Sequence, residues 1–227
     1  MTGAAAEQLR KLLRLYIVLG STNCKGDPAF VTAEAIRGGA TMIQFREKGL
    51  HARTGAAKEK LARRIQAVCR ANGIPFIVND DIELALAVDA DGVHIGQDDE
   101  PASQVRERIG NKWLGLSVHT AEEAKLAAKL NVDYIGVGPV YPTASKADAR
   151  EACGTEAIRE IREHGVTLPL VAIGGITPER VQEVVYAGAD GIAVISAVTA
   201  APDSRDAAQK LARELNSAFW RYGSLRP

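Results

Sequence analysis

The chain is short of cysteine, aromatics and surplus charge, and each shortage narrows what it can be. Its three cysteines, Cys24, Cys69 and Cys153, are scattered over 227 residues with no CxxC pair. That excludes a disulfide framework and a cysteine-based zinc site, and fits free thiols in a reducing compartment. Aromatic residues make up only 5%, too few for broad base-stacking platforms. Lys plus Arg and Asp plus Glu number 28 each, so the basic excess of a general nucleic-acid binder is missing. No apolar run approaches the roughly 20 residues that a membrane-spanning helix needs. The stretch 1–14 is a short amphipathic helix with Leu9, Leu12 and Leu13 on one side, without the apolar core and cleavage site of a signal peptide. These absences predict a cytoplasmic protein with no nucleic-acid and no membrane partner, and leave homo-oligomerisation open.

What is present is ordinary for a globular chain, apart from glycine. Hydrophobic residues are 46% and charged residues 25%. Glycine stands at 21 residues, somewhat above the usual share of about 7%. Short β-rich runs alternate with helical patterns along the whole length. The strand candidates are 15–20, 41–47, 75–79, 92–96, 113–118, 134–140, 170–174 and 191–196. Most are near-continuous apolar runs, as parallel strands buried on both faces require.

The helices between them carry start and stop signals. Asp27-Pro28 is an N-cap followed by proline at the first helical position, and Gly38-Gly39 ends that helix. A long basic amphipathic helix over 54–72 closes at Gly73, and Thr120-Ala-Glu-Glu123 is a capping box. Thr177-Pro178 opens another helix, ending near Gly188, and Asp203 opens the last. The helix-to-strand junctions resemble one another: Asp89-Ala-Asp-Gly-Val93, Asn131-Val-Asp-Tyr-Ile135 and Gly188-Ala-Asp-Gly-Ile192. No linker divides the chain.

Eight such units predict an α/β fold: a single (β/α)8 TIM barrel over 1–227, with its core at about 15–217 and a short extra helix in front. The competing topology is an open doubly wound sheet. It would carry a glycine fingerprint after the first strand, but 20–26 lacks the GxGxxG spacing and no Walker motif occurs.

Barrel enzymes draw their chemistry from the C-terminal strand ends and the loops that follow. Alternation along the second strand puts Gln44, Arg46 and Lys48 on one face. Two cations and an amide there can grip an anion; a solvated basic end paired with Glu47 is the plainer alternative. The third strand ends in Asn79-Asp80-Asp81, with Asp81 placed to cap the next helix. Asp98 or Asp99 after the fourth strand could share the space of Asp80. Two carboxylates facing cations suit a partly hydrated Mg2+ shared with phosphates. His94 lies mid-strand and reads first as a hydrogen-bonded core histidine. Ser117 can donate inward, and His119 reads equally as a rim hydrogen-bonder or an acid–base group.

The loop after the sixth strand is too long for a simple turn and contributes Thr143, Ser145 and Lys146. Gly174-Gly175 and Ser196 follow the last two strands, where barrels often seat a phosphate. A tight turn would also explain the glycines. The pattern predicts two anion sites, one cationic and metal-assisted, the other built from backbone and hydroxyl groups. A two-substrate reaction that displaces pyrophosphate follows naturally.

Taken together, Gln44-Phe-Arg-Glu-Lys48, Asn79-Asp80, His94-Ile-Gly-Gln-Asp-Asp99, Gly138-Pro-Val-Tyr-Pro-Thr143 with Ser145-Lys146, and Ala172-Ile-Gly-Gly-Ile176 resemble the thiamine-phosphate synthase family. The likeness runs in order from about Leu15 to Ala200. One departure is Ser145, where the family more often has threonine; the hydroxyl is kept. The resemblance implies a transferase of thiamine biosynthesis that joins hydroxymethylpyrimidine diphosphate to thiazole phosphate and releases pyrophosphate. It implies that Gln44, Arg46, Lys48, Asn79, Ser117 and Lys146 hold the diphosphate, with Arg46, Lys48 and Lys146 catalytic. It assigns Mg2+ to Asp80 and Asp99, and the thiazole phosphate to Thr143, Ser145, Gly175, Ile195 and Ser196. It also implies a dissociative step through a pyrimidine cation, with no protein nucleophile. A thiazole tautomerase of the same fold and a non-catalytic phosphate-binding barrel are the alternatives. The first has no pyrophosphate to grip, and the second would bind without turnover.

Overall fold

The computed structural model describes residues 3–145 and 151–222. Eight parallel strands close in chain order: β1 (Leu15–Leu19), β2 (Met42–Phe45), β3 (Phe76–Asn79), β4 (Gly92–Ile95), β5 (Trp113–Val118), β6 (Tyr134–Val137), β7 (Leu170–Ile173) and β8 (Gly191–Val194). β1 pairs with β2 on one side and β8 on the other. That closure leaves no free edge and excludes the open sheet. The helices are α1 (Gly3–Leu12), α2 (Pro28–Arg37), α3 (Gly55–Ala71), α4 (Ile82–Ala87), α5 (Ala102–Ile109), α6 (Ala121–Lys129), α7 (Glu156–Glu163), α8 (Val181–Tyr186), α9 (Ser196–Thr199) and α10 (Ser204–Tyr222).

Local signals account for the helix starts. Asp27 accepts the Ala29 N–H ahead of Pro28, and Asp81 accepts the Leu84 N–H at 3.0 Å. Asp203 accepts the Asp206 N–H at 2.9 Å before α10. The capping box at Thr120 is shifted by one residue. Thr120 Oγ1 accepts the Glu123 N–H, but the Glu123 carboxylate reaches back to the N–H of His119 at 2.6 Å instead of the cap residue's own.

Every strand but β5 is shorter than its candidate run, and two of them show why. β6 stops at Val137 because Pro139 has no N–H to give the ladder. Gly138 also lies so close to β7 that a Cβ there would sit 2.1 Å from the Ile173 carbonyl oxygen. β8 stops at Val194, since Ile195 turns the backbone (φ −113°, ψ −93°) into the one-turn helix α9, which the apolar pattern did not reveal.

The strands separate two apolar layers. The outer one lies between strands and helices; the inner one fills the barrel with Tyr16, Val18, Met42, Ile77, Tyr134, Val171, Ala193 and Ile195. Leu9 and Leu13 join the inner layer, so α1 plugs the N-terminal mouth. Full burial of such leucines contributes about 1.5–3 kcal/mol each.

The repeated junctions have one physical cause. Asp91, Asp133 and Asp190, each just before a strand, accept an N–H from the start of the preceding strand: Phe76, Leu114 and Leu170, all at 2.8 Å. Two of these aspartates are clamped by an arginine from the helix that leads into that preceding strand, α5 or α7. Arg106 spans Gly110 O, Lys112 O, Asn131 O and Asp133; Arg162 spans Val166 O, Leu168 O, Gly188 O and Asp190.

Candidate active site

The opposite mouth gathers most of the expected residues. Past the end of β2 the chain keeps its alternation, so Arg46 enters the barrel mouth while Glu47 turns away. Arg46 is buried and lines the cavity at this mouth, with Lys48 beside it. Glu47 is not the partner of these cations. Its carboxylate accepts from Ser21 N (2.7 Å), Ser21 Oγ and Arg53 N (2.8 Å), tying the β1 and β2 loops together. Gly20 permits this approach, since a Cβ there would sit 2.2 Å from the Arg46 carbonyl oxygen.

Gln44 is not at the rim, where sequence alternation alone set it. It is buried inside the barrel and donates from Nε2 to the Tyr16 hydroxyl at 2.8 Å. The shared face is real, but two residues of rise, about 6–7 Å, put Gln44 one layer deeper than Arg46.

At the end of β3, Asn79 lines the cavity and Asp80 takes a left-handed conformation (φ 54°). Asp80 Oδ2 accepts from Lys48 Nζ at 2.8 Å, while its N–H holds the His94 carbonyl. After β4, Asp98 and Asp99 line the cavity, and Asp99 Oδ2 accepts the Gly96 N–H at 2.7 Å. The hydrogen bond to Asp80 raises the basicity of Lys48, and the negative charge of Asp99 adds to it. Lys48 is therefore a firmly charged cation between two carboxylates.

His94 is satisfied on both ring nitrogens, by the Tyr134 hydroxyl at 3.2 Å and Ser117 Oγ at 2.9 Å. It also lines the cavity, so it is both a core residue and a site neighbour. His119 lines the cavity too, with Nδ1 3.2 Å from Glu123 Oε2.

Across the cavity stand neutral groups. Ser145 Oγ lies 2.9 Å from Ser196 Oγ, joining the β6 loop to the start of α9. Thr143, Gly175 and Ile195 line the same wall, and Thr143 Oγ1 accepts the Ser145 N–H at 3.2 Å. The glycine pair meets both expectations at once. Gly174 and Gly175 have positive φ and lie against Pro139 to Pro142, where a Cβ would meet atoms at 2.5 and 2.6 Å. The same pair lines the cavity. Lys146 lies outside the described residues.

The carboxylate oxygens are hard donors of the kind Mg2+ takes. Among the described residues no group of three or more His, Cys, Asp or Glu is placed to hold a metal. The described residues therefore offer no all-protein cage, but one or two carboxylates completed by substrate phosphate and water would suffice.

Sequence reasoning missed Glu47 as a loop tie, Gln97, whose Nε2 donates to the Ser117 carbonyl at 2.7 Å, and the buried Tyr16–Tyr134 pair. The tyrosines gave one faint signal: a polar tip inside an otherwise apolar strand needs a partner.

The family model for thiamine monophosphate synthase matches residues 15–198. A thiamine-phosphate synthase of Geobacillus kaustophilus is 54% identical over 218 residues, covering 96% of this chain and 99% of its own. One from Bacillus cereus is 49% identical over 219 residues, covering 96% of this chain and 100% of its own. Among solved structures, thiamine phosphate pyrophosphorylase from Pyrococcus furiosus superposes with a TM-score of 0.84 at 38% identity, covering 92% of this chain and 98% of that one. No helix among the described residues is long and apolar enough to cross a membrane.

Proposed function

The chain belongs to the thiamine monophosphate synthase family and is a transferase of thiamine biosynthesis, and on that premise we propose how its rim divides the work between two substrates. Arg46, Lys48, Asn79, Ser117 and Lys146 hold the diphosphate of hydroxymethylpyrimidine diphosphate, with Gln44 acting from the layer beneath. Thr143, Ser145, Gly175, Ile195 and Ser196 hold the phosphate of the thiazole. The observation that carries this reading is the asymmetry of one cavity. Its β2–β4 side presents cations and carboxylates, and its β6–β8 side presents paired hydroxyls and glycine backbone. A diphosphate leaving group needs the first; a phosphate that stays attached needs only the second.

Asp80 and Asp99 are the residues that would hold Mg2+. When bound, the ion would neutralise part of the diphosphate charge. Arg46, Lys48 and Lys146 stabilise the negative charge that grows on pyrophosphate as its bond to the pyrimidine methylene breaks. The thiazole nitrogen then takes up the carbon. The protein's contribution is electrostatic stabilisation plus alignment of the two partners, and it needs no side-chain nucleophile. Lys48 suits this role because its pairing keeps it protonated. We place the reaction in the cytoplasm, which suits the free thiols of Cys24, Cys69 and Cys153.

The test is to incubate the protein with both substrates and Mg2+ and measure pyrophosphate, then repeat with Asp80→Ala and Asp99→Ala. Both variants should lose most Mg2+-dependent release while thiazole phosphate still binds. Unchanged release in both would remove the metal from these aspartates, and loss of thiazole phosphate binding alone would reverse the two half-sites.

A further inference from the structure

A line of polar side chains crosses the otherwise apolar barrel interior and ends at the cavity. Gln44 Nε2 donates to the Tyr16 hydroxyl at 2.8 Å. The Tyr16 and Tyr134 hydroxyls are 2.9 Å apart, Tyr134 reaches His94 Nδ1 at 3.2 Å, and His94 Nε2 reaches Ser117 Oγ at 2.9 Å. Both tyrosines are fully buried. Burial raises both phenols well above their ordinary value, so each keeps its single proton.

Those facts give the line a direction. The Gln44 amide nitrogen can only donate. Tyr16 therefore accepts from it and turns its own proton to Tyr134. Tyr134, already an acceptor, turns its proton to His94 Nδ1. A neutral imidazole that accepts at Nδ1 carries its hydrogen on Nε2 and donates it to Ser117 Oγ. The serine hydroxyl then has its proton free for the cavity. Run in reverse, the line would aim the Tyr16 proton at the amide nitrogen, which cannot accept it.

A second observation indicates that the arrangement is built. Strand interiors disfavour glycine, which marks places of close approach. Gly115 in β5 and Gly136 in β6 are such places. A Cβ on Gly115 would lie 2.2 Å from Tyr134 Cζ and 2.4 Å from His94 Nδ1. A Cβ on Gly136 would lie 3.1 Å from His94 Cε1. The two strands omit side chains where the tyrosine and the histidine need room.

We propose that Gln44, Tyr16, Tyr134 and His94 are positioning residues that lock His94 in the Nε2–H form and so present Ser117 to the cavity as a hydrogen-bond donor. The chemistry this serves is an anionic oxygen of the leaving diphosphate, and that part rests on the functional reading above. A hydroxyl fixed as a donor fits an oxyanion without reorientation, the preorganisation that electrostatic catalysis requires.

Two measurements test it. The first is 15N NMR of histidine-labelled protein at mildly alkaline pH, with the His94 signals assigned by comparison with His94→Gln. The wild type should show a single Nε2–H form, and Tyr134→Phe should give a mixture of tautomers. A wild-type Nδ1–H form would overturn the proposal. The second is a double-mutant cycle on pyrophosphate release. Tyr134→Phe should lower kcat about tenfold with KM for thiazole phosphate unchanged. Tyr134→Phe combined with Ser117→Ala should be no slower than Ser117→Ala alone. Multiplying effects would mean that Tyr134 acts through the barrel and not through Ser117. A fully active Ser117→Ala with the Nε2–H form intact would sink the assignment of Ser117 to the diphosphate and leave the direction of the line standing.

Discussion

The two mouths of the barrel carry similar residue types put to opposite ends. At the N-terminal mouth, Asp133 accepts from Arg106 at 2.6 Å and from the Leu114 N–H, and Asp190 accepts from Arg162 at 2.8 Å and from the Leu170 N–H. Asp190 is further approached by Arg10 at 3.4 Å. At the C-terminal mouth, Asp99 holds the Gly96 N–H and Asp80 holds Lys48. A carboxylate has about four acceptor sites. The lower aspartates each hold an arginine and a strand N–H already in place, whereas each upper one holds one protein donor beside a cavity, with sites left for a ligand. The comparison teaches that how far the protein's own donors engage a carboxylate, not the presence of charge, separates a structural ion pair from a functional one.

The sharpest way to break that contrast is Asp190→Ala. It would take the carboxylate away from Arg162 and leave the Leu170 N–H without its acceptor, in a nearly buried setting. The expected loss is about 3–5 kcal/mol, read as a lower urea midpoint, with the remaining folded protein turning over at the native rate. A loss under about 1 kcal/mol would show that the clamp is ornamental. Next comes Lys48→Ala at the other mouth. Its exposed pair with Asp80 should contribute at most about 1 kcal/mol to stability. Its removal should lower kcat by roughly 10²–10³-fold. A variant that unfolds early but keeps its rate would erase the difference between the mouths.

The smallest effect is expected at Asp81, which touches both categories in sequence but only one in space. Burial pushes its carboxyl up, but hydrogen bonds from Lys58 at 2.7 Å and the Leu84 N–H outweigh that and hold it below the ordinary value. A depressed carboxyl stabilises the fold above its unfolded pKa, and the benefit is lost as pH falls through the folded one. Asp81→Ala should therefore cost about 1 kcal/mol at neutral pH, as a lost cap does. The gap from wild type should close in acid, with turnover unchanged. A gap that persists at low pH would mean that Asp81 stabilises by packing alone.

Most of the fold was legible because its determinants are local or periodic. Apolar runs of strand length named all eight strands, and Asp27, Asp81, Thr120 and Asp203 are caps whose partners lie within three residues. The junction aspartates were visible as a repeat, but not their purpose, since Asp190 and Leu170 are 20 residues apart. In the site, Arg46, Lys48, Asn79 and Asp99 were legible as polar groups at strand ends. Gln44 was misjudged in depth, because alternation tells which face a residue takes and not which layer of the barrel it occupies. Glu47 looked like a partner for the cations beside it and proved to bind Ser21 and Arg53 instead.

By itself, then, the sequence determined the order of elements, their caps, and which residues point toward the barrel axis, because periods of two and 3.6 residues are properties of the chain alone. Only the tertiary structure decided who meets whom. It set Ser145 against Ser196 and Lys48 against Asp80. It joined Gln44 to Ser117 through two tyrosines and a histidine drawn from three other strands. Closure of the barrel is what brings distant strand ends to a single mouth, and no spacing along the chain encodes those distances.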